Sequence, residues 1–424
     1  MPMFRRDLFA NLNQVVAANA IAGLANVGST VWFARILGPG IMGDYAIIVV
    51  ALQVVTALLV PGFNQAVIRE PSRKELAAAG TLATAVQSCL VLVAGGIAYG
   101  WALWYGSPAG RDLSLPCALL GASLILSFWS NLLAAPLEAQ MVYRALVRTR
   151  LLALTAGIAA GIAAAAQGLE IYALVLRDLV TAVITLVLLR RDSPFRLTWQ
   201  GWKGGMQDLL HFARGLWGLN ALEKLALRLD YAFVGILFDK NVLGIYFAVR
   251  GLIEGALGFL VSPIQTVLYA FYCRMRTHPA QLTPSLHQGA GLMLAAVLVL
   301  GAGAFFTGPW WVETLLTERY APGHTLLGGL VLYAGAMVWF ENMKVLAMSR
   351  NIHRLLVVPR LAQVGVAVSI TLPLVRFGGL AGAGFAAGLS ALVLAAFATW
   401  CVARRFPSEE HDVRPAGTLD RPAA

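Results

Sequence analysis

HFARGLWGLNALEKLALRLDYAFVGIL, running from His211 to Leu237, is the stretch that decides the fold. It is apolar enough and long enough to cross a bilayer as a helix, which takes about 20 residues. Yet it carries Asn220, Glu223, Lys224, Arg228 and Asp230. At about 100° per residue these five side chains fall within a sector of roughly 160°, so one face of the helix cannot lie against lipid. A charge held at mid-membrane costs about 2.5–3.5 kcal/mol on insertion scales. The segment therefore belongs to a bundle with a polar interior and is not a solitary anchor.

Its neighbours in sequence repeat the pattern. The next apolar run places Arg250 and Glu254 four residues apart on one helical face, and the preceding run carries Arg177 and Asp178. Near the start of the chain Asn11, Gln14, Asn19 and Asn26 occupy a sector of about 140°. One reading is a hydrated cavity between two halves of the bundle. The other is a set of internal ion pairs, Glu223 with Lys224 or Arg228 and Arg250 with Glu254, that lock the helices together.

Composition agrees with a membrane bundle. Of 424 residues 59% are hydrophobic and 12% charged, 42 are glycine, and the mean hydropathy is +0.73; a soluble enzyme is excluded. About twelve apolar windows follow one another, at 10–35, 42–67, 77–104, 114–141, 146–167, 170–189, 207–237, 242–271, 286–308, 322–343, 355–375 and 378–403. With the N-terminus inside, 21 of the 32 Lys and Arg residues fall in loops on the cytoplasmic side and 5 on the other. Both termini are thus expected in the cytoplasm, and the net charge of +11 reflects topology, with no nucleic acid as partner.

The longest internal polar break, RRDSPFRLTWQGWKGGM at 190–206, divides the chain. The expected organisation is a six-helix N-terminal lobe over 1–192, a cytoplasmic linker over 193–206, a six-helix C-terminal lobe over 207–403 and an unstructured cytoplasmic tail over 404–424. ILGPGIMGDYAIIVV from Ile36 is similar to ILFDKNVLGIYFAVR from Ile236, with Gly43 and Tyr45 matching Gly244 and Tyr246; six spans per half make this a parallel repeat. The pairs Gly96/Gly100, Gly157/Gly161 and Gly378/Gly382 have the spacing of close helix contacts. The four cysteines and six histidines have neither redox nor metal-ligand spacing, there is no nucleotide-binding GxxxxGK[ST], and no loop is long enough to hold an external catalytic domain. A metal, a resident cofactor and an enzymatic activity are not expected.

Several segments, taken in order, resemble a known family. They are ARILGPGIMGDYAIIVVALQVVTALLVPGFNQAVIRE from Ala34, YRALVRTRLLALTAGIAAGIAAAAQGLEIYALVLRDLV from Tyr143, LRLDYAFVGILFDKNVLGIYFAVRGLIEG from Leu227 and WVETLLTERYAPGHTLLGGL from Trp311. Together they resemble the polysaccharide-repeat-unit flippases, the oligosaccharide exporters of the multidrug/oligosaccharidyl-lipid/polysaccharide (MOP) superfamily. The chain departs from the family at Phe238, where a glycine is usual. The resemblance implies an all-α polytopic membrane protein of about twelve transmembrane helices, in two six-helix lobes around a central cavity that opens alternately to each side. It implies residence in a bacterial cytoplasmic membrane and, as substrate, an undecaprenyl-diphosphate-linked oligosaccharide. A polysaccharide polymerase and glycosyltransferases of the same pathway would be its partners.

The resemblance makes Arg250 the diphosphate contact. Lys224 and Arg228 would assist through charge-assisted hydrogen bonds, with Asn220, Asn19, Asn26 and Arg177 as further substrate-binding positions. Asp230, Glu223 and Glu254 are the candidates for coupling to a proton or sodium gradient. The rival expectations are a cation-coupled multidrug antiporter of the same superfamily and a non-transporting scaffold of a glycan-assembly complex.

Overall fold

The computed structural model describes residues 2–59, 74–105, 113–140, 142–195, 198–255, 257, 302–303, 306–349 and 352–410; within these, side chains are described outside 2–20, 55–59, 94, 97–105, 143, 208, 211–217, 219–220, 349, 353 and 405–410. All regular structure among the described residues is helical, as lipid demands of a backbone that has no water to bond. The order is α1 (Pro2–Leu59), α2 (Lys74–Tyr105), α3 (Ser114–Ala139), α4 (Tyr143–Ala166), α5 (Glu170–Asp192), α6 (Trp202–Ala226), α7 (Leu229–Leu237) and α8, residues 240–255. A π turn (Val312–Leu316) and a 3₁₀ segment (Glu318–Leu326) lead into α9 (Leu327–Ser349) and α10 (Val357–Glu410). Seven stretches among the described residues are long and apolar enough to cross a membrane. The protein is a multi-pass membrane protein.

Two of those stretches hold two of the expected spans each. α1 breaks at Gly38, whose φ of 76° only glycine adopts at no cost, and Pro39 then opens the second arm, where its missing N–H is no loss. α10 breaks at Gly379, φ 58°. At the matching place in the second half Phe238 has φ −123°, ordinary extended backbone, so a side chain is tolerated where the family usually has glycine. There the Asp239 carboxylate accepts the N–H of Val242 at 3.0 Å and caps α8.

The seventh span departs from expectation. It is not one helix: α6 ends at Ala226 and α7 begins at Leu229, with Arg228 at φ −120° between them. α10 also runs on to Glu410, so residues 404–410 of the expected tail are helical, because extending an existing helix costs far less than starting one. Residues 411–424 and most of the ninth span lie outside the described residues.

The two repeated segments meet each other. A Cβ on Gly43 would stand 1.9 Å from the carbonyl oxygen of Lys240, and one on Gly244 would stand 1.9 Å from that of Pro39. In the repeat Lys240 is the counterpart of Pro39, so the contact is reciprocal. The Lys240 ammonium adds a 3.3 Å pair to the Asp44 carboxylate, and the Tyr320 hydroxyl donates to the Ala34 carbonyl at 3.1 Å. The largest buried apolar cluster surrounds this crossing, with Phe33, Met42, Tyr45, Leu174, Tyr231, Leu243 and Tyr246. Of the expected small-residue pairs, Gly157 and Gly161 press α4 onto α5, where added Cβ atoms would lie 2.6 and 2.8 Å from the carbonyls of Arg177 and Ala173. A Cβ added at Gly96 or Gly378 would have no atom of the described residues within 4 Å.

Candidate functional site

The break between α6 and α7 positions the site. It turns Asp230 into the first turn of α7, where its carboxylate accepts the N–H of Tyr231 at 2.9 Å, the hydroxyl of Tyr246 and the guanidinium of Arg250. Arg250, only 1% exposed on α8, has four polar partners. Its Nε donates to Glu254 at 2.8 Å, one Nη to the Tyr246 hydroxyl at 2.8 Å and the other to the Leu227 carbonyl at 3.3 Å. That carbonyl is available because the helix is interrupted there. The rings of Tyr231 and Tyr333 lie 4.8 and 4.6 Å from the guanidinium carbon, as cation–π contacts do.

The repeat's other tyrosine makes a second such triad. Tyr45 donates its hydroxyl to Asp178, while Arg177 donates to that hydroxyl at 3.2 Å and to Asp178 at 2.9 Å. Between the triads lies a cavity of about 200 Å³ bounded by α1, α5, α7 and α8. Tyr45, Arg177, Arg228, Tyr231 and Glu254 are on its wall. Arg228 is 22% and Glu254 27% exposed, and their ion pair is long, at 3.6 Å. Arg228 also lies 5.2 Å from the centre of the Tyr231 ring. Among the described residues, the charged groups on this wall are two guanidiniums and one carboxylate, so an anion suits it better than a cation.

Arg228, Asp230, Arg250 and Glu254 thus stand together, with Arg177 across the cavity. Glu223 does not join them: it pairs with Lys344 at 3.3 Å and Arg360 at 3.6 Å in a separate cluster completed by Glu341. Lys224 is exposed and is not among the cavity's lining residues. Asn26 lines another cavity, inside the N-terminal half, and the side chains of Asn19 and Asn220 lie outside those described. Arg360 is not among the site residues expected from the sequence. It is wholly buried, bonded to Gln363 at 2.8 Å and stacked 4.2 Å from the Phe340 ring centre. Sequence reasoning missed the tyrosines as site residues too, although the repeated Gly-x-Tyr was a usable signal.

Comparison with known proteins agrees with this architecture. A family model described as "Polysaccharide biosynthesis protein" matches residues 32–324. Among solved structures, the lipid II flippase MurJ in an inward closed conformation is similar with a TM-score of 0.71 at 10% identity, covering 91% of this chain and 87% of that one. An outward-facing multidrug resistance MATE family transporter of the MOP superfamily gives 0.67 at 12% identity, covering 95% and 96%. A Vibrio cholerae MATE transporter gives 0.61 at 13%, covering 95% and 98%. A search of curated protein sequences returns no match. These likenesses are to transporters, and at such identities they speak for the fold. With more than half its length matched by the family model, the chain belongs to the polysaccharide biosynthesis protein family, built on the helical membrane fold of MOP-superfamily transporters.

Proposed function

We propose that the protein translocates a polyprenyl-diphosphate-linked oligosaccharide, with undecaprenol as the lipid, from the inner to the outer leaflet of the cytoplasmic membrane for surface polysaccharide assembly. The observation that carries this reading is the cavity between the two repeated segments, where Arg177 and Arg228 both lie on the wall and Glu254 is the one carboxylate among the described lining residues. A diphosphate suits a wall with two guanidiniums, since a guanidinium can donate two parallel hydrogen bonds to a phosphate. Arg250 supports the arrangement from behind by holding Glu254 and Asp230. Glu254 pairs with Arg228 when the cavity is empty, so the diphosphate competes with that carboxylate for the guanidinium. The lobes, 1–192 and 207–403, then rock about the Gly43–Gly244 crossing, and the lipid tail stays in the bilayer.

Cells lacking the protein test this. They should accumulate lipid-linked oligosaccharide in the cytoplasmic leaflet and lose the surface glycan. Unchanged lipid-linked pools and unchanged glycan, in a strain with no second flippase, would reject the reading. Drug sensitivity in the same strain would instead support a multidrug antiporter.

A further inference from the structure

A second and larger cavity, of about 580 Å³, lies wholly within the N-terminal half between α1, α3, α4 and α5. Its size is within the roughly 300–1,000 Å³ range of small-molecule sites. Its lining combines hydroxyls, amides and a hydrocarbon wall that includes Leu146, Leu151 and Leu154. The four charged residues on it cancel, Glu138 and Asp178 against Arg150 and Arg177. A lipophilic cation would call for an excess of carboxylate, and an inorganic anion for an excess of guanidinium. Mixed donors and acceptors beside an apolar wall suit a pyranose ring, with hydroxyls around its edge and C–H groups on its face.

One hydroxyl in this wall has no hydrogen-bond partner. Thr149 is 1% exposed, and its Oγ has no partner among the described residues. The threonines of α5 behave otherwise: Thr181 and Thr185 each return their proton to the carbonyl four residues back, at 2.7 Å. Helical threonines ordinarily do this, and a buried polar group left without a partner calls for one from outside the chain. The other telling residue is Arg177, which lines both this cavity and the central one.

We propose that the N-terminal cavity is the subsite for the sugar attached to the diphosphate, with Arg177 at the junction between the two. The inference rests on the flippase reading above and deepens it. The diphosphate lies on the central side of Arg177, and the first sugar reaches past it toward Thr149 and Asn131. Specificity for the glycan would then reside in α3, α4 and α5, while the central arginines would read only the diphosphate common to all such lipids.

The test uses the full-length protein in lipid nanodiscs and three probes: undecaprenyl diphosphate, the same lipid bearing one N-acetylhexosamine or one hexose, and the sugar alone. The glycosylated lipid should bind at least tenfold tighter than the bare diphosphate. The sugar alone should compete only at far higher concentration. Thr149→Val combined with Asn131→Leu should reduce binding of the glycosylated lipid to the level of the bare one and leave the latter unchanged. Thr185→Phe, which fills the cavity from another helix, should do the same and guards against misfolding of the double variant. Equal binding of the two lipids by the unaltered protein, or a sugar preference that survives both variants, would overturn the subsite and leave the diphosphate reading standing. Free sugar competing as well as the glycosylated lipid would overturn the placement beside the diphosphate. Binding of none of the probes would reject the flippase reading and this inference with it.

Discussion

Arg250 has five N–H donors and no acceptor, and in this protein it has a partner on every side: Asp230, Tyr246, Glu254 and the Leu227 carbonyl. Such a charge is stable in a dry interior only while its partners remain. Asp230→Asn should therefore destabilise the protein by about 3 kcal/mol, the lower end for a buried pair broken on one side, because Glu254 stays in place. A clearly lowered melting temperature in detergent would register this; an unchanged one would show that Asp230 does not hold Arg250. Glu254→Gln should leave the melting temperature nearly intact, since Glu254 is partly exposed, and should tighten binding of the diphosphate lipid, because the carboxylate no longer competes for Arg228. The sequence made these acids and bases conspicuous because charge in an apolar run is costly. Tyr45 and Tyr246 did not stand out, since tyrosine costs little in a membrane helix. Lys224 was grouped with the site only by assuming an unbroken helix.

At the scale of elements, the helix breaks decide which residues meet. Those at Gly38 and Gly379 were legible, because glycine next to proline, or two glycines in a row, interrupt an apolar run. The break at Leu227 and Arg228 was not, for LEKLALRLD contains only residues compatible with a helix. The structure supplies the partner that takes up the freed carbonyl, the Nη of Arg250, which is 23 residues further along the chain. Discontinuous helices recur at transporter binding sites, and this one places Arg228 on the cavity wall. The crossing of the repeated segments leaves no room for a Cβ. Gly43→Val or Gly244→Val should abolish export while the protein still inserts in the membrane, whereas Gly218→Ala, with no atom of the described residues within 4 Å of the added Cβ, should be neutral. Surface glycan together with membrane-protein level is the measurement. Wild-type export by either valine variant would mean that the crossing is not needed for transport.

Across the whole molecule, the apolar windows of the sequence anticipated the order of helices, because a bilayer imposes length and hydropathy on each. They could not show how the polar groups are shared out. That depends on contacts such as Glu223 with Lys344 and Arg360, which join residues more than a hundred positions apart. The outcome is an interior whose charges balance cluster by cluster: Arg228 and Arg250 with Asp230 and Glu254, Lys344 and Arg360 with Glu223 and Glu341, Arg177 with Asp178. This balance bears on energetics through the membrane voltage. On the proposed function, these clusters would carry no net charge through the field when the empty protein resets, so the return step would be electrically silent. With a headgroup aboard, the diphosphate of the proposed substrate would be the unbalanced charge, and each negative charge moved from a negative interior to the outside gains about 2.3 kcal/mol per 100 mV. Export from vesicles should accordingly accelerate when a potassium diffusion potential makes the entry side negative. A rate indifferent to that potential would mean that a cation travels with the headgroup. If the acceleration is seen, resting voltage alone gives transport its direction, with the neutral interior letting the protein return at no electrical cost.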